Sequence, residues 1–187
     1  MSQHNCAISC YAKLSTLRVS IGDITSSVGI PKGTFYNHFR SKEALASAIL
    51  SQHFNALLEA FAQGGSETAG ARLRRHFESI EPSTQEPRSS PLQIISTLAA
   101  EGPALPYALA QQIAEGVRLW SNKVAALISL AQGEGRIDAE ENPDLLAALF
   151  VNCWQGAMIR NKCDPAAQCD CLRFALDRVF GTSQPDA

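Results

Sequence analysis

Between Ser20 and Leu50 the chain reads SIGDITSSVGIPKGTFYNHFRSKEALASAIL, a stretch punctuated so closely that only short, tightly joined helices fit it. Ser20 followed three residues later by Asp23 is a capping-box-like start, with a side-chain oxygen placed for the orphan N–H groups of a first turn. Ile21, Ile24 and Val28 then recur at helical spacing. Gly29, able to take positive φ, stops that helix. Ile30-Pro31 restarts the chain, proline suiting a first helical position. Lys32 to Phe39 gives a second helix of about two turns, too short to stand alone. Phe35 and Phe39 are spaced to face inward and anchor it. Two short helices across a glycine turn are the plan of a helix-turn-helix, whose second helix enters the DNA major groove.

The run IPKGTFYNHFRSKEAL resembles the DNA-binding signature of the TetR family of transcriptional regulators. Lys32-Gly33, Tyr36, His38-Phe39, Ser41-Lys42-Glu43 and Leu45 fall where that pattern has them, and Asp23-Ile24 and Val28-Gly29-Ile30 fit the preceding helix and turn. The resemblance implies that Tyr36 and His38 lie against the sugar-phosphate backbone, with Lys32 and Lys42 near phosphates. Such contacts set register and carry the salt-dependent affinity. Gly33, lacking a side chain, permits close backbone approach to DNA. Thr34 and Asn37 carry the hydroxyl and amide suited to base edges.

The front end departs from the family pattern. Tyr11-Ala12 stands where the family ends its first helix with Phe-Ala, and Ser15-Thr16 replaces a glycine-aromatic pair. None of the ten residues before Tyr11 is Lys or Arg. The expectation is fewer phosphate contacts from the N-terminal arm, or a start further upstream.

Helical periodicity continues through the remaining sequence, and no alternating strand pattern is found, so the fold class is all-α. The organisation read from it is a three-helix DNA-binding domain over 1–45, then a helical bundle for ligand binding and dimerisation over 46–187. A first helix is expected from about Gln3 to Leu14, and a helix starting at Ser41 links head to body through Leu45, Ile49, Phe54, Leu57, Leu58 and Phe61. Gly64-Gly65 breaks it, and a helix over about Glu67–Ile80 follows. Glu81–Pro91 (EPSTQEPRSSP) reads as an exposed connection. Further helices are expected over Leu92–Glu101, Tyr107–Gln132, Pro143–Lys162 and Pro165–Phe180.

Charge is divided along the chain. Up to Ala62 five basic residues (Lys13, Arg18, Lys32, Arg40, Lys42) meet three acidic ones, net +2, while the remainder holds 11 basic and 15 acidic, net −4. A mildly basic head on an acidic body fits one face meeting phosphates. No apolar run approaches the roughly 20 residues that span a bilayer, and no basic-then-apolar leader opens the chain. A soluble, cytoplasmic protein with no membrane partner is expected. Six cysteines (Cys6, Cys10, Cys153, Cys163, Cys169, Cys171) then read as reduced thiols.

The body resembles the TetR subgroup that answers electrophiles and small unsaturated acids, through LAAEGPAL, ISLAQGEGRID and LFVNCWQGAMIRNK. Ser90-Pro91-Leu92 stands where those sensors often have Gly-Cys-Leu, so that sensor cysteine is absent. Candidate effector contacts are Phe77, Tyr107, Arg118, Trp120 and Trp154, apolar or orienting groups of a helical-bundle cavity, each with simple core packing as the competing reading. The last two helices carry more apolar surface than one body needs. In the family the corresponding pair makes a four-helix interface with its copy, which assigns Leu146, Leu149, Phe150, Leu172, Leu176 and Val179 to a homodimer interface.

Together these features imply a dimeric repressor that binds a palindromic double-stranded DNA operator and is released by a small-molecule effector, with no cofactor. No nucleophile–base pairing, metal-ligand spacing or phosphate loop suggests an enzyme or assigns catalytic residues. Two alternatives stand beside it. One is a thiol- or metal-responsive regulator using Cys163, Cys169 and Cys171, although Cys-x-Cys on a helix points its thiols apart. The other is a helical bundle that dimerises without DNA binding.

Overall fold

A computed structural model of the chain describes residues 20–27, 29–62, 67–80, 91–164 and 170–180. The expected helix over Gln3–Leu14, the Gly64-Gly65 break, most of the Glu81–Pro91 connection, and Cys6, Cys10 and Cys169 lie outside the described residues.

Among the described residues the structure is all-helical. In chain order the helices are α1 (Ile21–Ser27), α2 (Lys32–His38), α3 (Lys42–Glu59), α4 (Ala69–Ser79), α5 (Pro91–Ala99), α6 (Tyr107–Gly133), α7 (Pro143–Cys163) and α8 (Asp170–Phe180). Single 3₁₀ turns stand at Ala60–Ala62 and Gly102–Ala104. Two compact units emerge: one from the chain up to Ala56 and from Pro91 to Gly116, the other from Leu57 to Ile80 and from Val117 to Phe180.

Local chemistry sets the helix ends in the first unit. Ser20 and Asp23 form a reciprocal cap: the Ser20 backbone N–H and hydroxyl donate to the Asp23 carboxylate at 3.0 and 2.6 Å, and the Asp23 N–H donates to Ser20 Oγ at 3.1 Å. Gly29 takes φ +65, the left-handed conformation that ends α1 and turns the chain. Pro31 sits one place earlier than expected, at the N-cap of α2 with extended ψ 145, and Lys32 is the first helical residue. Ser41 caps α3 by accepting from the Ala44 N–H at 3.2 Å.

Ile24, Phe35, Phe39, Leu45 and Ile49 are buried in this unit. Each fully buried side chain of this size contributes roughly 1.5–3 kcal/mol. α3 and α6 are clamped by one amide: Gln112 Nε2 donates to the Ser47 carbonyl at 2.9 Å and to Ser51 Oγ at 2.8 Å, while the Ser47 hydroxyl donates to Gln112 Oε1. Gly116 lets α6 come down on the Phe54 ring; a Cβ there would stand 2.4 Å from Phe54 Cε2.

In the second unit Thr68 caps α4, and the Ala69 N–H also donates to the Glu134 carboxylate at 3.2 Å. Asn142 caps α7 through the N–H groups of Asp144 and Leu145, with Pro143 at its first position. The Arg74–Asp177 ion pair at 2.7 Å joins α4 to α8. The core is aromatic: Phe77, Trp120, Phe150 and Trp154 are all buried, with the Trp120 and Trp154 rings edge-to-face at 5.1 Å.

Candidate functional site

α2 is held by the two phenylalanines that its spacing singles out. Phe35 and Phe39 are buried with ring centroids 5.7 Å apart, and Phe35 also meets Tyr36 edge-on at 5.5 Å. Anchoring one face fixes the other: Lys32, Gly33, Tyr36, Asn37, His38 and Arg40 are exposed, and Thr34 is half-buried. Gly33, Tyr36 and Asn37 fall at three- and four-residue steps, so they share the outward side of α2, and Arg40 follows beyond its extended C-cap Phe39. Nothing described lies within 4 Å of where a Gly33 Cβ would be, which leaves that point open to a close approach.

Beside this face lies a concavity of about 450 Å³ lined by Ser20, Lys32, Tyr36, Arg40, Ser41 and Lys42 among others. Three cations, a phenol and the start of an 18-residue helix, α3, converge there. That combination suits an oxygen-rich anion. One carboxylate, Glu43, also lines it, and Asp23 close by is engaged in capping α1. Hydrogen bonds from the Ser20 side chain and then its backbone lower the Asp23 pKa, with Lys32 contributing less. Glu43 is likewise lowered, first by the Ser41 side chain and then by its own backbone N–H. Gly22 completes the packing: a Cβ there would come within 3.3 Å of Lys32 Cε, so its absence lets the lysine stem lie across α1. Arg40 was not among the contact residues expected from sequence. Its charge was visible, but its position past the end of α2 hid its share in this concavity.

The five residues assigned to an effector divide. Phe77, Trp120 and Trp154 come together in the second unit, each 1 % exposed. Both indoles are satisfied: Trp154 Nε1 donates to the Ile80 carbonyl at 3.2 Å, and Trp120 Nε1 donates to His76 Nε2 at 2.9 Å. Tyr107 belongs to the first unit, is 76 % exposed, and accepts from Gln111 Nε2 through its hydroxyl. Arg118 is exposed on α6.

His76 went unnoticed in the sequence. It is buried against Phe61 at 4.0 Å and near Phe77 and Trp120, and burial pushes its pKa down from 6.5 to about 4. One signal could have found it: His76 stands three residues after Leu73 and beside Phe77, on the inward face of an amphipathic helix. A shallow cavity of about 350 Å³ opens between α4 and α8, lined by Phe77, Leu172, Leu176 and the Arg74–Asp177 pair.

The interface residues divide as well. Phe150, Leu172 and Leu176 are turned into the protomer's own core, Phe150 stacking on Phe180 at 6.1 Å and packing near Phe77 at 5.9 Å. Leu146 and Val179 are half-buried, and Leu149 is exposed. The apolar stripe that α7 leaves outside is Leu145, Leu149 and Ile159, continued on α8 by Phe174. Leu145, Leu149, Asn152, Gly156 and Ile159 follow alternating four- and three-residue steps, the spacing of a helix–helix seam. On α7 the two sets differ by about a quarter of a turn, which composition does not resolve.

Among the described residues no three His, Cys, Asp or Glu side chains stand together to hold a metal ion, and no helix is long and apolar enough to cross a membrane. Cys171 is exposed, Cys153 is half-buried, and the Cys163 side chain lies outside the described residues.

A short anchored helix presented beside a cationic concavity defines a DNA-reading head of the helix-turn-helix class. Comparison with known proteins agrees. Residues 8–49 match the family described as bacterial regulatory proteins, tetR family, and residues 69–170 match a tetracyclin repressor-like C-terminal domain. The chain belongs to the TetR family and is a DNA-binding transcriptional regulator. Among curated relatives, it is 30 % identical over 146 residues to the HTH-type transcriptional repressor DhaR of Mycobacterium sp. (strain GP1), covering 76 % of this chain and 72 % of that one. It is 29 % identical over 147 residues to the transcriptional regulator AcuR of Cereibacter sphaeroides, covering 77 % and 67 %. Among solved structures, a regulatory protein TetR from Rhodobacter sphaeroides superposes with TM-score 0.78 at 28 % identity, covering 95 % of this chain and 96 % of that one.

Proposed function

We propose that the chain is a homodimeric, ligand-responsive repressor, held on a palindromic double-stranded DNA operator and released from it by a small molecule. The observation that carries the reading is the outward face of α2, with Gly33, Tyr36 and Asn37 beside the Lys32–Arg40–Lys42 concavity. Phosphates in that concavity would fix register, and Asn37, with Thr34 at the edge of the face, would reach base edges.

Dimerisation is supported by the exposed stripe of Leu145, Leu149, Ile159 and Phe174. Nothing described lies within 4 Å of a Gly156 Cβ, so the middle of the α7 stripe is open to a close helix. A two-fold pair would also supply two recognition helices about one DNA turn, roughly 34 Å, apart. The repressor sense is supported by the relative DhaR, which is named as one.

The effector would enter the second unit near Phe77, where the cavity between α4 and α8 meets the aromatic core. It can act only through a difference in affinity between the DNA-competent and released states. Fluorescence anisotropy on a selected operator tests this, with and without a panel of small unsaturated acids and electrophilic carbonyl compounds. At least one member should lower DNA affinity tenfold or more. Tight operator binding that no member of the panel alters would overturn the ligand-responsive reading and leave the DNA-binding one standing.

A further inference from the structure

The geometry points to Cys153 and Cys171 as an oxidisable thiol pair, which a hydroperoxide converts to a disulfide tying α7 to α8. The two residues come from different helices and are 18 positions apart in sequence, yet the Cys171 thiol donates toward the Cys153 carbonyl with Sγ 3.9 Å from the oxygen. No disulfide joins them, and both are free thiols. Neither takes part in the DNA-facing concavity or the aromatic cluster.

Their surroundings assign the roles. Cys171 is exposed and shares the outward side of α8 with Phe174 and Arg178, at three- and seven-residue steps. Cys153 is half-buried on α7 beside Trp154, and burial, then the nearby Cys171, raises its thiol pKa. The accessible Cys171 therefore meets the oxidant first. Its thiolate sulfur attacks the terminal peroxide oxygen, the O–O bond breaks, and alkoxide (hydroxide, from hydrogen peroxide) leaves and takes up a proton, giving a sulfenic acid. The Cys153 sulfur then attacks the sulfenic sulfur, forming S–S and expelling the oxygen, which takes up a proton to leave as water. In sum two thiols and one hydroperoxide give one disulfide, water and the alcohol, or a second water from hydrogen peroxide itself. The link would be reversible by dithiols. It would latch together the two helices that carry the exposed apolar stripe, giving this body an input separate from any effector. The chemistry does not depend on the repressor reading.

The test uses the full chain, reduced, treated with hydrogen peroxide, quenched by alkylation and digested for mass spectrometry. A peptide joining Cys153 to Cys171, two hydrogens lighter than its separate halves and lost on adding dithiothreitol, is expected. Cys153→Ser should instead hold Cys171 as a sulfenic acid that dimedone captures, and Cys171→Ser should leave Cys153 open to alkylation. If either variant fails to fold, the linked peptide from the unaltered chain decides the matter. Both thiols remaining alkylatable would overturn the proposal. So would Cys171 linked instead to Cys163, to Cys169 or to Cys171 of a second copy.

Discussion

Acid should weaken this fold through one buried imidazole. Trp120 Nε1 can only donate, so the His76 nitrogen facing it, Nε2, carries no proton, and the neutral ring holds its single proton on Nδ1. Protonating Nε2 would set two donors against each other inside an aromatic core, in addition to the cost of burying the charge. The folded pKa is about 4 against 6.5 for an ordinary histidine. Between those values the unfolded chain binds the proton and the folded chain does not, so stability falls as pH falls. Linkage gives a loss of about 2 kcal/mol between pH 7.5 and 5, reaching about 3 kcal/mol at pH 4. Above about pH 7.5 the contribution is flat.

The measurement is urea unfolding at fixed protein concentration, at pH 7.5 and pH 5, for the unaltered chain and His76→Gln. Glutamine keeps an oxygen that accepts from Trp120 and does not titrate. His53 also has its pKa lowered by burial, but it contributes equally to both proteins and cancels in the comparison. The variant should be less pH-sensitive by about 2 kcal/mol. An identical pH dependence in the two proteins would refute the buried neutral His76.

Three further outcomes follow from the packing. Gly116→Ala would drive a methyl to 2.4 Å from the Phe54 ring, and urea unfolding should show a loss of about 1–3 kcal/mol. Arg40→Ala and Lys42→Ala should each weaken operator binding across sequences and flatten the salt slope by about 0.9 per lost phosphate contact, read by anisotropy over a salt series. Leu149→Asp with Ile159→Asp should give a folded monomer by light scattering and circular dichroism, because both side chains are exposed in the protomer; a persisting dimer would place the interface elsewhere.

The head was legible because its signals are local. A capping pair, a positive-φ glycine, two phenylalanines four apart and a capping serine each act within one turn of chain. Pro31 missed by one place only because an N-cap and a first helical residue differ in one ψ angle. The body was legible as helices but not as faces. α7 is apolar on two sides, and only the packing of Phe77 and Phe180 against Phe150 reveals which side the protomer keeps for itself. Tyr107 looked like a cavity aromatic, yet the α6 turn that carries it points it to solvent. His76 and the Cys153–Cys171 pair depend on contacts between distant segments, which no spacing rule encodes.

On this reading the outward face of α2 and the cationic concavity beside it contact DNA. Selection of genomic fragments on the full chain near physiological salt tests it most directly, run beside the double variant Arg40→Ala with Lys42→Ala. One short palindromic sequence should be enriched by the unaltered chain and lost or sharply reduced with the variant. No enriched sequence, or the same sequence enriched equally by both proteins, would contradict it.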